Sequence, residues 1–298
     1  MSELLKILGC RYPIIQGPIG MQNSPEMVAA VSEAGAYGML ALGFSNPDEA
    51  KKLVLDVRKL TDKPFGANIM LINAHNEKIL EILAGAGVKA VTTSVGSPKE
   101  IYPIIHDLGM KGIHVVLALQ HAIRAVSAGA DALVVVGSEA GGLRSQNPES
   151  STMVLVPLVA DHVQVPIAAA GGISDSRGYK AAFALGAQGV QVGTRFLAST
   201  ESPVSGQWKQ AIVDCTDGGT DLIPSRSMRT AERVIVTPWI KQKLLDPEVK
   251  NLAEELDRNP AVTGNFERAA FGAGQVSALI RDIKPIEAII KEMVSGPL

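Results

Sequence analysis

From Tyr12 to Phe196, short apolar runs alternate with stretches in which apolar residues recur at helical spacing. Tyr12–Gln16, Met39–Gly43, Phe65–Leu71, Ala90–Val95, Ile113–Leu119, Leu133–Val136, Pro166–Ala170 and Gly189–Gly193 read as strands, each a brief apolar run bounded by glycine or polar residues. Helices open between them at defined starts. Ser24-Pro25-Glu26 and Asn46-Pro47-Asp48-Glu49 each supply a capping oxygen, a proline in the first turn and an early acid. Further helices are predicted for Asn76–Ala84, after Ser97-Pro98, for Gln120–Ala128 and for Thr152–His162. A helical crossover joins parallel strands. Strand–helix steps of about 25 residues, repeated through the last of these strands, predict an α/β chain closed into a TIM (β/α)8 barrel rather than a doubly wound open sheet.

Two segments depart from that rhythm. GSEAGGLRSQNPESS, Gly137–Ser151, is too polar and glycine-rich to predict regular structure. Beyond Phe196 the repeat stops, and residues 201–274 are more charged, with Trp208, Cys215, Trp239 and several prolines. This stretch is expected to be a helical insertion over the barrel mouth, with residues 1–200 and 275–298 forming the barrel itself. The amphipathic run Gln275–Met293 is expected to return as the last outer helix. Lying over the mouth, the insertion is the part expected to set substrate choice.

The last two predicted strands end in Gly171-Gly172 and Gly193-Thr194. Bare glycine lets backbone amides approach a ligand closely, and Ser174 or Asp175 can cap the helix that follows the first tip. Unpaired amides, a helix amino terminus and the Thr194 hydroxyl together predict a phosphate cradle where such barrels commonly carry one.

Composition narrows the partners. The chain has 298 residues, 46% of them hydrophobic, enough for one barrel with a large core. Net charge is -2 with no run of lysine or arginine, which argues against nucleic acid. The start, MSELLKILGCRYP, has neither a basic region nor a long apolar run, so no signal peptide is expected, and no stretch predicts a membrane span. Cys10 and Cys215 lack metal-ligand or CxxC spacing, which suits a reducing cytoplasm.

The predicted strand tips are poor in acid and base. No carboxylate pair is spaced for glycoside hydrolysis, and no Asp-x-Asp or His-x-His marks a metal. A mouth of amides, glycines and apolar side chains suits a planar cofactor that brings its own reactivity. Asn68, polar in mid-strand, is expected to face inward to a ligand. His121, Arg144 and Ser145 are the candidates for proton transfer or substrate contact, while Glu139 is expected to hold a loop by accepting backbone amides. His75, His106, His114 and His162 are expected to be structural or solvated.

The strings YPIIQGPIGM, DKPFGANIML, AVTTSVGSP, GADALVVVGSEAGG, VPIAAAGGI and GAQGVQVGTRF, with a weaker echo in GAGQVSALI, resemble the nitronate monooxygenase family, formerly the 2-nitropropane dioxygenases. That family includes flavin-type enoyl-acyl-carrier-protein reductases. The resemblance covers about Leu4 to Phe196 and implies a barrel binding FMN, with NAD(P)H as a candidate electron donor. It implies phosphate at Gly171, Gly172, Gly193 and Thr194, and ring and ribityl contacts from Gly17, Pro18, Ile19, Gly20, Met21 and Asn68. Glu139, Gly141, Gly142, Ala170, Gln191 and Val192 complete the implied cofactor set. Members typically carry histidine after the paired glycines, as in EAGGH. Here the string is EAGGLRS, and Leu143 cannot carry a proton.

The resemblance thus implies an FMN-dependent oxidoreductase, its flavin reduced by NAD(P)H or substrate and reoxidised by an enoyl thioester, quinone or oxygen. Its substrate would be a small molecule or acyl thioester, with no nucleic acid or membrane partner and a homodimer as the candidate assembly. Three alternatives stand beside it: a nitronate monooxygenase using oxygen, a purine-nucleotide dehydrogenase with a similar phosphate cradle and a cysteine nucleophile, and a non-catalytic flavin binder that has lost the histidine.

Overall fold

The computed structural model describes residues 2–20, 23–225, 230–246, 248–249 and 251–297. Its strands are β1 (Ile14–Gln16), β2 (Gly38–Ala41), β3 (Phe65–Met70), β4 (Ala90–Ser94), β5 (Lys111–Val116), β6 (Ala132–Val136), β7 (Gly142–Ser145), β8 (Ile167–Ala170), β9 (Gly189–Val192), β10 (Thr220–Ser225) and β11 (Thr230–Ile235). Eight of them form one parallel sheet in the order β1-β9-β8-β6-β5-β4-β3-β2. The ring closes just ahead of β2, where Tyr37 N donates to Ile14 O at 2.8 Å and Gln16 N to Tyr37 O at 2.9 Å. This is the TIM barrel expected from the sequence.

Helices α1 (Glu3–Leu8), α2 (Pro25–Glu33), α3 (Pro47–Leu60), α4 (Asn76–Gly85), α5 (Ile101–Asp107), α6 (Leu119–Ser127), α7 (Thr152–Ala160), α8 (Ser176–Ala184) and α9 (Thr194–Leu197) follow in chain order. The helix starts read from the sequence are real: Ser24 accepts from Met27 N at 3.1 Å and Asn46 from Glu49 N at 2.9 Å. Strand side chains alternate between two apolar layers. Ile15, Met39, Ala90, Ile113, Val134 and Ala168 fill the barrel, whose lower end is plugged by Leu4 and Leu8 of α1. Val190, Val135, Ala169 and Ile14 face the outer helices instead. The closing helix, Ile286–Ser295, packs its Ile286, Ile289, Ile290 and Met293 into that outer layer, beside α2 and α8.

Four expectations need correction. The loop Gly137–Ser151 contains a strand, β7, and the insertion contains the hairpin β10–β11; together they form a second sheet in the order β10-β11-β7. The insertion is therefore mixed rather than helical, with helices at Gly206–Val213 and Pro238–Leu244 on either side of the hairpin. Gly142–Ser145 is too short to read as a strand until β11 pairs with it, Arg233 opposite Gly142 and Thr230 opposite Ser145. The run Gln275–Met293 is not one helix either: a 3-10 turn spans Gln275–Leu279, and the α-helix starts only after Pro285. Proline removes a donor and turns the preceding residue away from helical geometry, so the two pieces cannot join. Lastly, β5 stops at Val116, and Leu119 already belongs to α6.

Behind β4, outside the barrel, lies a small buried polar group. Thr93 Oγ1 sits 2.7 Å from His114 Nδ1 and 3.2 Å from the Tyr102 hydroxyl. Burial, aided by the charge of His121, lowers the His114 imidazole from 6.5 to about 4. The folded state therefore holds its proton less tightly than the unfolded chain, so this stability is present above the unfolded value and is lost as pH falls toward the folded one. Urea unfolding of wild type should lose about 2 kcal/mol more than His114→Gln between about pH 7.5 and about pH 5. Parallel pH profiles would show that the imidazole stays uncharged for no energetic reason of its own.

Candidate functional site

The carboxyl ends of β8 and β9 meet side by side. Ala170 pairs with Gln191 in register, which sets Gly171-Gly172 against Val192-Gly193 at adjacent strand tips. Gly171 and Gly172 adopt φ of 101° and 74°, backbone that favours glycine. Nothing lies within 4 Å of where a Cβ would stand at Gly172 or Gly193. The amides of Gly172, Gly193 and Thr194 donate to no acceptor among the described residues. Thr194 begins α9, and its Oγ1 accepts from Gly274 N at 2.9 Å, which leaves the hydroxyl proton to be given elsewhere. Asp175, one of the two residues expected to cap the following helix, caps α8, its carboxylate accepting from Arg177 N at 2.9 Å and Gly178 N at 3.3 Å.

On the neighbouring strand, β1 ends against the same tip, where a Cβ on Gly17 would stand 3.2 Å from Gly193 Cα. Pro18 and Ile19 are half-buried and Gly20 is exposed beyond it, whereas Met21 lies outside the described residues.

Polar side chains cap the inside of the barrel at this end. Gln191 alternates with Val190 and Val192, both packed into the outer layer, so it points inward. Its Oε1 is buried with no donor among the described residues. Asn68 also points inward and is 5% exposed, but it has protein partners: Nδ2 donates to Thr92 Oγ1 at 2.9 Å, and Oδ1 accepts from Ser94 Oγ at 3.2 Å. It points inward as expected and is also held by β4.

The loop after β6 is fastened under these tips by one residue that the sequence marked only as a helix start. Thr152 Oγ1 lies 3.1 Å from Gly171 O and 3.0 Å from Glu139 Oε2, while Thr152 N donates to both oxygens of the Glu139 carboxylate. Glu139 thus caps α7 in place of Ser151, whose side chain makes no cap bond, and the loop-holding role expected of it is met. Gly141 is not open to a ligand, because its missing Cβ faces Ala273 C at 2.4 Å. Gly142, at φ 72°, faces open space.

The proton-carrying candidates fare worse. Arg144 is 3% exposed and closed off: Nε donates to Glu149 Oε2 at 3.0 Å, Nη2 contacts the same carboxylate, and Nη2 also reaches Gly137 O at 2.9 Å. Ser145 serves a turn, its N donating to Glu149 Oε1 at 2.9 Å and its Oγ accepting from Asn147 N at 3.0 Å. His121 is not at a strand tip; it lies exposed in the first turn of α6 and acts on His114 outside the barrel. Leu143 is 44% exposed and stands opposite Glu232, on the face of its sheet away from Arg144. Neither cysteine is a poised nucleophile. Cys10 precedes β1, at the end of the barrel away from these tips, and burial pushes its thiol up to about 12; burial raises Cys215 as well.

The Thr152 contacts predict a measurable cost. Thr152→Val keeps the shape but removes the hydroxyl between Glu139 and Gly171, and should lower unfolding free energy by about 1–3 kcal/mol in urea, with Thr152→Ser close to wild type. Equal stability of the valine variant would mean that the hydroxyl fastens nothing.

Comparison with known proteins agrees with this geometry. The nitronate monooxygenase family model matches residues 1–81 and 72–296. A nitronate monooxygenase of Paraburkholderia phytofirmans is 30% identical over 96% of this chain and 92% of its own. The structure of FabK from Thermotoga maritima superposes with a TM-score of 0.89 at 36% identity, covering 99% of this chain and 95% of that one. A nitroalkane oxidase from Streptomyces ansochromogenes gives a TM-score of 0.85 at 25% identity, covering 99% and 97%. Matched along almost its whole length, and with the same barrel, the chain belongs to the nitronate monooxygenase family.

Proposed function

We propose that this oxidoreductase binds FMN at the tips of β8, β9 and β1 and uses it to oxidise or reduce a small molecule or acyl thioester. The observation that carries the reading is the pair of adjacent glycine tips, Gly172 and Gly193, with unclaimed amides and open space beside them. Backbone donors of this kind suit a phosphate. The buried, unpartnered Oε1 of Gln191 suits a ligand that can donate, such as a ribityl hydroxyl or a ring imide. Thr194 would add its hydroxyl proton to the phosphate, and Asn68, with hydrogen-bonding capacity left after Thr92 and Ser94, would meet the cofactor from the opposite wall.

When bound, FMN supplies two-electron redox chemistry that none of these side chains has. The protein's part is to hold and orient. Thr152 and Glu139 keep the Gly171 carbonyl turned away from the open side, so that the following amides face the ligand. The segment Ala273–Gly274, packed on Gly141 and Thr194, walls the site on the insertion side. Proton transfer has little support: Arg144 and Ser145 are tied to Glu149, His121 is outside, and leucine stands at 143. This favours reactants that need no proton removed by the protein, either a nicotinamide hydride donor or a carbanion already formed, such as a nitronate. An enoyl thioester, quinone or oxygen would then take the electrons.

Anaerobic mixing of FMN-loaded protein with NADH, NADPH and propionate-3-nitronate in turn, followed at the flavin's visible band, tests the reading. Bleaching by a nicotinamide favours the reductase branch; bleaching by nitronate, followed by oxygen uptake once air is admitted, favours the monooxygenase branch; no bleaching by any of them rejects both.

A single substitution separates cofactor from fold. Gly193→Ala meets no protein atom and needs no left-handed backbone, so its melting temperature without FMN should match wild type. The methyl would stand where phosphate is proposed, and FMN affinity should fall about tenfold or more by fluorescence titration. Unchanged affinity would remove the cradle from the argument.

A further inference from the structure

The second sheet turns two arginines toward the barrel, and they are treated differently. Arg144 stands opposite Ala231 and Arg233 opposite Gly142, which puts both arginines on one face. Both reach carbonyls just past the tip of β6, Arg144 at Gly137 O and Arg233 Nη2 at Ser138 O, the latter 3.1 Å away. Arg144 is neutralised by Glu149. Arg233 is 6% exposed, has no carboxylate within ion-pair distance among the described residues, and its Nε is buried with no acceptor.

The acids whose field reaches Arg233 are Asp221, Glu149 and Glu139, and each is engaged elsewhere. Asp221 takes Leu222 N at 2.7 Å, Glu149 takes Arg144 and Ser145 N, and Glu139 takes Thr152. A guanidinium withdrawn from water without a counter-ion is unfavourable, and a bound anion relieves it. The position suits a ligand: Ala273 N donates to Arg233 O at 3.2 Å, and the next residue, Gly274, donates to Thr194 Oγ1 at the cradle. Arg233 therefore lies on β11, one backbone hydrogen bond from the segment that walls the proposed cofactor site.

We propose that Arg233 is a specificity-determining residue that docks a planar oxyanion, a carboxylate or nitronate, of the reactant that meets the flavin. Its Nε and a free Nη hydrogen offer the side-on pair of donors that such two-oxygen anions accept. The assignment rests on the flavin reading above.

The test titrates FMN-loaded wild type, Arg233→Met and Arg233→Lys with benzoate and with benzamide, its neutral isostere, and reads the perturbation of the flavin band. Wild type should prefer benzoate by about 10- to 100-fold. Arg233→Met should erase that preference, and Arg233→Lys should keep part of it. A methionine variant that still prefers benzoate, or a wild type that prefers neither ligand, overturns the assignment. So does a variant that loses discrimination between FMN and riboflavin, because Arg233 would then serve the cofactor phosphate. A wild type that takes up no FMN ends the flavin reading alone. Thermal shift of the apoprotein with the same two ligands then decides, the methionine variant again having to lose the benzoate-specific stabilisation. If the methionine variant does not fold, Arg233→Gln takes its place as the neutral side chain.

Discussion

The register between β8 and β9 is the constraint on which the site depends. In a strand, a shift of one residue exchanges the two faces. Here it would carry Gln191 from the barrel interior to the outer layer and part the two glycine tips. The register is pinned from below. Gly189 fits only because it lacks a side chain: a Cβ there would stand 2.5 Å from Pro13 O and 2.6 Å from Leu4 Cδ2. Val190 N donates to Pro13 O at 2.9 Å and Gln188 N to Ile167 O at 2.8 Å, so β9 is locked to both neighbours at its lower end. The plug helix α1 and the glycine tips are thus joined through one strand.

From the tips, order passes outward through Thr152. Its hydroxyl ties β8 to the loop after β6, and Glu139 in that loop passes the connection on, its carbonyl accepting Gln275 N at 2.9 Å. The insertion therefore rests on the barrel side through Gly274 N on the Thr194 hydroxyl and Arg233 Nη2 on Ser138 O, beside the bond from Gln275 N to Glu139 O. Each of these bonds sits at the tip of a barrel strand or on the strand that covers it. A change in the insertion, where substrate choice is expected to lie, is mechanically coupled to the cradle through Gly274 and Thr194.

Much of this was legible in the sequence because it depends on local signals. The caps at Ser24 and Asn46 and the glycine tips each follow from a residue type and its immediate neighbours. What could not be read depends on partners distant in the chain. Gly142–Ser145 becomes a strand only because Thr230–Arg233 folds back on it, and Pro224, a poor strand residue, is tolerated because β10 is an edge. The engagement of Arg144 with Glu149 needs that same pairing, which turns its side chain toward Gly137. Asn68 was correctly placed inward, yet its partners on β4 follow from barrel register, which no local pattern carries.

Leucine at 143 makes sense only beside the rest of this wall. A histidine there would bring a titratable group to a sheet that already holds Arg144 and Arg233 on its other face. The charge of Arg144 further disfavours the buried cation at Arg233. A second cation nearby would be disfavoured for the same reason. An oxyanion reverses the balance, since it brings the counter-charge that Arg233 lacks and, as a nitronate or carboxylate, arrives with its proton already gone. If Arg233 docks an oxyanion as proposed, leucine at 143 and the buried guanidinium without a carboxylate partner belong together: such a mouth would not make its reactant anionic but would take one that already is.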